Sequence, residues 1–264
     1  MEMISFERVR FGYAGVPVLR EVSFGVREGE GVGLFGANGA GKSTALRLTM
    51  ALLHPDSGTI TVAGQRTEGL GPEDLAGKVG FLFQRPEDQL IRTTVREELA
   101  YCAERLGWPA ARIVTAVDGA LEECQLDGVA ALHPYDLPLP KRRLVALASI
   151  LVTDPQVLLL DEPTALLDRA GRALVAEIVR TRVTAGQSVV AVTHDPAFAV
   201  EALDRGIALA EGGVADDAPV EEMLRSGLSG LELPPFAVAA ERAGIVAGSL
   251  RMADLATALA HPGR

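Results

Sequence analysis

The feature that most constrains this chain is a glycine-rich stretch, Gly36 to Thr44, that follows the apolar run Gly31 to Phe35. It matches the pattern G-x-x-x-x-G-K-[ST], in which a strand, a tight loop and a helix follow one another. The N-terminus of such a helix presents unpaired backbone N–H groups and a positive dipole end, which attract phosphate oxygens. The sequence therefore predicts a phosphate-binding loop, formed by Gly36, Asn38, Gly39, Gly41, Lys42, Ser43 and Thr44.

Two side chains of this loop have chemistry that suits a nucleotide. Lys42 is expected to reach the β- and γ-phosphates, and the hydroxyl of Ser43 is expected to be one oxygen ligand of Mg²⁺. The glycines let the backbone surround an anion without Cβ clashes. We therefore expect ATP and Mg²⁺ as cofactors.

Composition limits the classes of protein to which the chain can belong. Its 264 residues are 48% hydrophobic, which is enough for a large buried core. The formal net charge is −10 and no dense basic stripe occurs, so we expect no nucleic-acid partner. No apolar run approaches the roughly 20 residues that span a bilayer, and the N-terminus lacks the apolar core of a signal peptide, so we expect a soluble protein.

The order of patterns along the chain predicts an α/β fold. Short strand-like runs separated by turns occupy the first 36 residues and predict an antiparallel β part. Residues 86 to about 145 have helical patterns, and strands and helices then alternate around apolar runs, which indicates a mostly parallel sheet. We expect a nucleotide-binding domain over residues 1–213, with a helical subdomain at about 86–145, and a helical C-terminal extension over 214–264.

Four polar residues downstream of the loop are candidates for hydrolysis. Asp161 and Glu162 end an apolar strand, so Asp161 is expected to hold Mg²⁺ through water, and Glu162 to polarise the attacking water as general base. Gln84, at a strand end, would contact the metal and the water, and His194 would bond the γ-phosphate. Taken alone, the acidic pair could be a helix cap, Gln84 a solvated turn residue and His194 a structural histidine.

These residues, in this order, resemble the ATP-binding-cassette (ABC) ATPases over residues 3 to 215. The ABC ATPases have the fold of P-loop nucleoside triphosphatases (NTPases). The resemblance implies that Tyr13 stacks on adenine, that Gln84 belongs to the Q-loop, that Asp168 belongs to the D-loop, and that His194 is the switch histidine. Leu166 stands where the D-loop frequently has glycine.

A finer resemblance is to the ATPase subunits of energy-coupling-factor importers, which take up vitamins and cobalt or nickel ions. It is carried by the segments 83–90, 93–98 and 231–236, which read FQRPEDQL, TTVREE and LELPPF. The resemblance implies a peripheral subunit on the cytoplasmic face of the membrane. It also implies that integral membrane subunits bind in the groove beside the Q-loop.

One motif departs from the family pattern. Where family members have Leu-Ser-Gly-Gly-Gln, this chain has Leu137, Pro138, Leu139, Pro140 and Lys141, and Leu144 replaces the arginine usual in the helix that follows, expected over Lys141 to Val152. In the family dimer this signature motif caps the γ-phosphate on the opposite subunit, using a serine hydroxyl and glycine N–H groups. The alternative is that the prolines are good helix starters and that the helix dipole with Lys141 still attracts phosphate.

Because a poor signature would impair the partner's nucleotide site, we expect a heterodimer with a second ABC ATPase subunit that has an intact signature. The sequence is also compatible with two other functions. One is a nucleotide-binding regulatory module that does not hydrolyse ATP, and the other is a soluble ABC ATPase without a role in transport.

Overall fold

A computed structural model describes residues 1–85, 89–227, 230–243 and 249–260. Pro86, Glu87 and Asp88 of the segment predicted to mark an importer ATPase lie outside these residues. The strands are β1 (Glu2–Tyr13), β2 (Val16–Arg27), β3 (Gly31–Phe35), β4 (Ser57–Val62), β5 (Gln65–Arg66), β6 (Val79–Leu82), β7 (Val157–Asp161), β8 (Ser188–Val192), β9 (Arg205–Ala210) and β10 (Gly213–Pro219). The α-helices are α1 (Lys42–Thr49), α2 (Val95–Arg105), α3 (Ala110–Glu123), α4 (Leu139–Leu151), α5 (Arg169–Thr184), α6 (Pro196–Ala202), α7 (Val220–Ser226), α8 (Pro235–Arg242) and α9 (Met252–Ala260).

The strands form two sheets. The N-terminal sheet has the order β2-β1-β4-β5 with antiparallel pairing, and the central sheet has the order β10-β9-β3-β8-β7-β6. In the central sheet β9, β3, β8, β7 and β6 are parallel, and β10 is antiparallel to β9. The predicted α/β fold with a mostly parallel core and an antiparallel N-terminal part is confirmed.

Burial explains why the central strands have continuous apolar sequences. Every residue of β3, β7 and β8 is buried, because helices or the N-terminal sheet cover both faces of the central sheet. Because β3, β8 and β7 are parallel neighbours, their carboxyl ends lie at one edge of the sheet, where the polar residues that follow them meet.

The first helix of the helical subdomain, α2, begins at a capping box. Thr94 caps α2 by accepting a hydrogen bond from the Glu97 N–H at 3.2 Å, and the Glu97 carboxylate accepts one from the Thr94 N–H at 3.2 Å. The helix expected from Lys141 instead begins at Leu139, with Pro138 as its N-cap. Pro140 fits the first turn because the N–H groups there have no partner within the helix.

The C-terminal boundary differs from the prediction. Residue 214 lies within β10, a strand of the central sheet, so the helical extension begins at Val220. The residues of β10 are half-buried or exposed, and its sequence contains two aspartates and a proline, which is why it was not predicted as a strand.

Among the described residues, no helix is both long enough and apolar enough to cross a bilayer.

Candidate nucleotide-binding site

The glycine-rich loop connects β3 to α1, as predicted. Gly36 has a φ of 128° and Gly41, the N-cap of α1, has a φ of 102°, values that side chains other than glycine rarely adopt. A Cβ built on Gly36 would lie 2.2 Å from the carbonyl oxygen of Leu209 in β9. The loop therefore packs directly on the central sheet, and only glycine fits at its start.

Lys42 is buried and holds the loop closed. Its Nζ donates hydrogen bonds to the carbonyl oxygens of Gly36 at 2.7 Å and Ala37 at 3.0 Å. Burial lowers the pKa of Lys42, while the nearby carboxylates of Glu162 and Asp161 oppose that shift. The ammonium group thus lies between the loop and the acidic pair.

The acidic pair ends β7. Asp161 is buried, and burial raises its pKa although the Ser43 hydroxyl donates a hydrogen bond to its carboxylate. Mg²⁺ takes oxygen ligands such as hydroxyls and carboxylates, so Ser43 and Asp161 fit that ion. Mg²⁺ sites usually add substrate phosphates and waters to one or two carboxylates.

Glu162 follows Asp161 with a left-handed φ of 54°, a conformation uncommon for glutamate that is found at functional sites. Burial is the main cause that raises the pKa of Glu162, and Asp161 adds to it, while the contact with His194 and the charge of Lys42 lower it. The Glu162 carboxyl is thereby a stronger proton acceptor than an exposed glutamate.

One cleft joins the predicted residues. It has a volume of about 320 Å³, and it lies between the glycine-rich loop, the end of β7 and the residues after β8. The predicted site residues that line it are Tyr13, Asn38, Gly39, Gly41, Lys42, Ser43, Thr44, Gln84, Asp161, Glu162 and His194. Tyr13 is half-exposed at the rim, and its ring meets the ring of Phe11 edge to face.

Gly36, Asp168 and the five signature positions at 137–141 lie outside the lining of this cleft. Gly36 lies behind the loop, against β9. Asp168 is the N-cap of α5, where its carboxylate accepts a hydrogen bond from the Gly171 N–H at 2.8 Å. Two residues earlier, Leu166 is exposed with a φ of 65°, which explains why glycine suits that position.

The start of α4 presents the five residues of the degenerate motif. Leu137 is buried, whereas Leu139 is 46% exposed and Pro138 is exposed. The Lys141 Nζ donates to the carbonyl oxygen of Gln125 at 3.0 Å, so this charge is engaged within the helical subdomain. The exposed surface at this helix start is therefore apolar, and the two prolines offer no N–H groups there.

Sequence reasoning missed Arg143. This arginine is only 2% exposed, and its guanidinium donates to the carbonyl oxygens of Glu162 and Gln84, both at 2.6 Å. The family pattern places its usual arginine at Leu144, one residue later. The charge of Arg143 gave no signal, because the fold alone determines that it is buried against two carbonyls on distant segments.

The sequence matches known proteins over most of its length. The family model described as ABC transporter matches residues 19–165. The chain is 38% identical over 225 residues to the nickel import ATP-binding protein NikO of Rhodobacter capsulatus, covering 82% of this chain and 89% of that protein. It is 31% identical over 255 residues to the energy-coupling factor transporter ATP-binding protein EcfA1 of Enterococcus faecalis, covering 92% and 91%.

A solved structure has the same fold. The structure of cbiO1 from Clostridium perfringens, part of the ABC transporter complex cbiONQ, aligns with a TM-score of 0.77 at 27% identity. The alignment covers 86% of this chain and 92% of cbiO1. The resemblance predicted from the motifs is confirmed.

Proposed function

Because this chain belongs to the ABC transporter family and is an ATPase of that family, we propose that it powers an importer of the energy-coupling-factor type. The class of substrate that we propose is a vitamin or a transition-metal ion, since similar proteins are named for nickel import and for energy-coupling-factor transport. The single cleft that joins the glycine-rich loop to Asp161, Glu162 and His194 carries the proposal.

The chemistry proposed for this cleft assigns a role to each group. Lys42 and the N–H groups of the loop bind the β- and γ-phosphates, and Tyr13 stacks on the adenine. Ser43, Gln84 and Asp161 would hold Mg²⁺, which neutralises phosphate charge when it is bound. Glu162 accepts the proton of the attacking water, and the backbone N–H of His194 orients the Glu162 carboxylate. The imidazole of His194 bonds the γ-phosphate.

The second part of the proposal is a heterodimer. In the family arrangement, the signature of one subunit closes the nucleotide site of the other, and here that surface offers Pro138, Leu139 and Pro140 in place of a hydroxyl and glycine N–H groups. Losing one donor to a transition state commonly costs about 3 kcal/mol. We therefore propose that a different ATPase subunit, with an intact signature, completes the cleft of this chain.

The proposed location is the cytoplasmic face of the membrane, with the membrane subunits bound in the groove beside Gln84. We further propose that residues 1–219 form the ATPase domain and that the helices from Val220 onward form an extension of it.

The test compares ATPase activity of the isolated chain with that of the pair reconstituted with the second ATPase subunit. We expect little turnover from the isolated chain, rapid turnover from the pair, and loss of that turnover when Glu162→Gln is introduced. Equal rates for the chain and the pair would refute the heterodimer. Activity that survives Glu162→Gln would refute the assignment of the catalytic base.

A regulatory module without hydrolysis would instead show nucleotide binding but no turnover in either preparation. A soluble ABC ATPase outside transport would hydrolyse ATP without membrane proteins copurifying with it. Purification from membranes through a tag on this chain separates these readings from the proposed importer.

A further inference from the structure

The side chain of Gln89 completes the edge of the central sheet. Its Nε2 donates to the carbonyl oxygen of Phe81 at 2.9 Å, and its Oε1 accepts from the N–H of Phe83 at 3.0 Å. Phe81 lies in β6 and Phe83 directly follows it, so these are the backbone groups at the end of β6 that another parallel strand would bond. The carboxamide of Gln89 therefore occupies the two groups that one residue of a strand beside β6 would bond, at the edge of the sheet.

This contact holds the backbone directly before Gln84. Phe83, to which Gln89 is bonded, immediately precedes Gln84, and the carbonyl oxygen of Gln84 accepts from Arg143 at 2.6 Å. The backbone is thus held on both sides of the Gln84 side chain, which lines the nucleotide cleft.

A buried carboxylate holds the segment after Gln89. Glu98, on α2, accepts hydrogen bonds from the N–H groups of Ile91 and Arg92, both at 2.7 Å, and it is 5% exposed. Gln89 and Glu98 both line a groove of about 310 Å³ between β6 and α2. The groove and the nucleotide cleft are therefore joined by a short chain of hydrogen-bonded groups.

We propose that Gln89 is a positioning residue that holds Gln84 in its place in the nucleotide cleft and connects that place to the groove. The inference rests on the proposed function, because it takes the role of Gln84 in hydrolysis and the docking of membrane subunits in the groove from there. Gln89 itself does not line the nucleotide cleft, so it acts on hydrolysis only through Gln84.

A double-mutant cycle on the ATPase tests this inference. The variants are Gln84→Ala, Gln89→Leu and the double variant, measured in the complex purified from membranes through a tag on this chain, with MgATP varied. We expect Gln89→Leu to lower kcat about tenfold. The variant loses two hydrogen bonds to the backbone, and their combined net free energy corresponds to about a tenfold change in rate. In a Gln84→Ala background the same change is expected to have no further effect on kcat.

Gln65→Leu is the matched control, because the Gln65 carboxamide accepts a hydrogen bond from the Lys78 ammonium and lines neither the groove nor the cleft. We expect it to leave kcat and KM as in the wild type. If Gln89→Leu does not fold, Gln89→Glu replaces it, since a carboxylate still accepts from Phe83 but cannot donate to Phe81.

Two results overturn the inference and separate it from the proposed function. If Gln89→Leu lowers kcat by the same factor in the wild-type and Gln84→Ala backgrounds, the positioning role alone is refuted. It is also refuted if Gln89→Leu leaves kcat unchanged in the wild type. Wild-type kcat in Gln84→Ala would refute the catalytic role of Gln84, and the positioning role would fail with it.

Discussion

His194 contacts the carboxylate of Glu162 in two ways. Its backbone N–H donates to Oε2 at 3.2 Å, and Nε2 of its ring lies 3.4 Å from Oε1. The backbone contact aligns the carboxylate whatever side chain residue 194 has, whereas the ring contact depends on the imidazole. Substitution of His194 therefore removes the ring contact and leaves the backbone contact that orients Glu162.

We expect His194→Ala to lower kcat about 10²-fold, as removal of a single transition-state donor does, while nucleotide affinity changes little. ATPase kinetics and binding of a fluorescent ATP analogue measure the two effects. His54→Ala, at an exposed histidine after α1, is the control and is expected to retain the wild-type rate. Wild-type turnover in His194→Ala would show that the imidazole takes no part in hydrolysis.

Burial raises the pKa of Glu162 above its ordinary value of 4.5, so the ionised carboxylate destabilises the folded chain at neutral pH. The contribution of this group to the free energy of unfolding is fully present at a pH below the ordinary pKa. It is lost as the pH rises through the raised pKa. We therefore expect Glu162→Gln to raise Tm at pH 8, by an amount that shrinks as the pH approaches 4.5. Calorimetry of the nucleotide-free chain in the presence of a chelator measures it.

The control for that experiment is Glu122→Gln, at an exposed position on α3, which is expected to leave Tm unchanged at both pH values. A lower Tm for Glu162→Gln at pH 8 would contradict the prediction.

Gly36→Ala is expected to destabilise the chain strongly. The backbone conformation of Gly36 is unfavourable for alanine, and the added Cβ would lie 2.2 Å from the Leu209 carbonyl oxygen. Gly39 has a left-handed φ of 85° but open space around it, so Gly39→Ala incurs the conformational cost alone, about 1–2 kcal/mol. Urea unfolding of both variants is expected to give a larger loss for Gly36→Ala, and equal losses would show that the loop moves away from β9 at little cost.

Restoring the signature is expected to activate the reciprocal site. The triple change Pro138→Ser, Leu139→Gly and Pro140→Gly supplies a hydroxyl and two N–H groups at the start of α4. In a heterodimer whose other active site carries Glu162→Gln, we expect the turnover that remains to rise about 10²-fold. Leu132→Ser, at an exposed leucine nearby, is the control for a mere gain of polarity. No rise would mean that the reciprocal site is limited by another part of the partner.

Arg143→Met is expected to lower both stability and kcat, because it removes a buried cation from the carbonyls of Glu162 and Gln84. Hydrogen bonds to charged groups contribute about 1.5–3 kcal/mol, so we expect a decrease of that size in the free energy of unfolding. Arg142→Met is the control, since Arg142 bonds the carbonyls of Leu137 and Tyr135 on the outer side of the subdomain. A stable Arg143→Met variant with normal kcat would refute the bridging role.

The parts of the site that could be predicted from the sequence depend on local geometry. The glycine-rich loop and the pair Asp161 and Glu162 each follow an apolar strand within a few residues, so spacing alone indicated where they meet. Arg143 and Gln89 could not be found in this way, because each acts on residues that only the fold brings near it. β10 was missed for a related reason, since an antiparallel strand at the edge of the sheet needs no apolar sequence.

The two hydrogen bonds from Lys42 to the carbonyls of Gly36 and Ala37 have a consequence for affinity. They shape the loop with groups of the chain itself, so the entropy lost in ordering the loop belongs to folding and is not subtracted again when phosphate binds. Nucleotide affinity should then depend on the stability of the whole domain. Substitutions far from the cleft that loosen the packing of α1 against β7 and β8 would weaken ATP binding without touching any residue that contacts it.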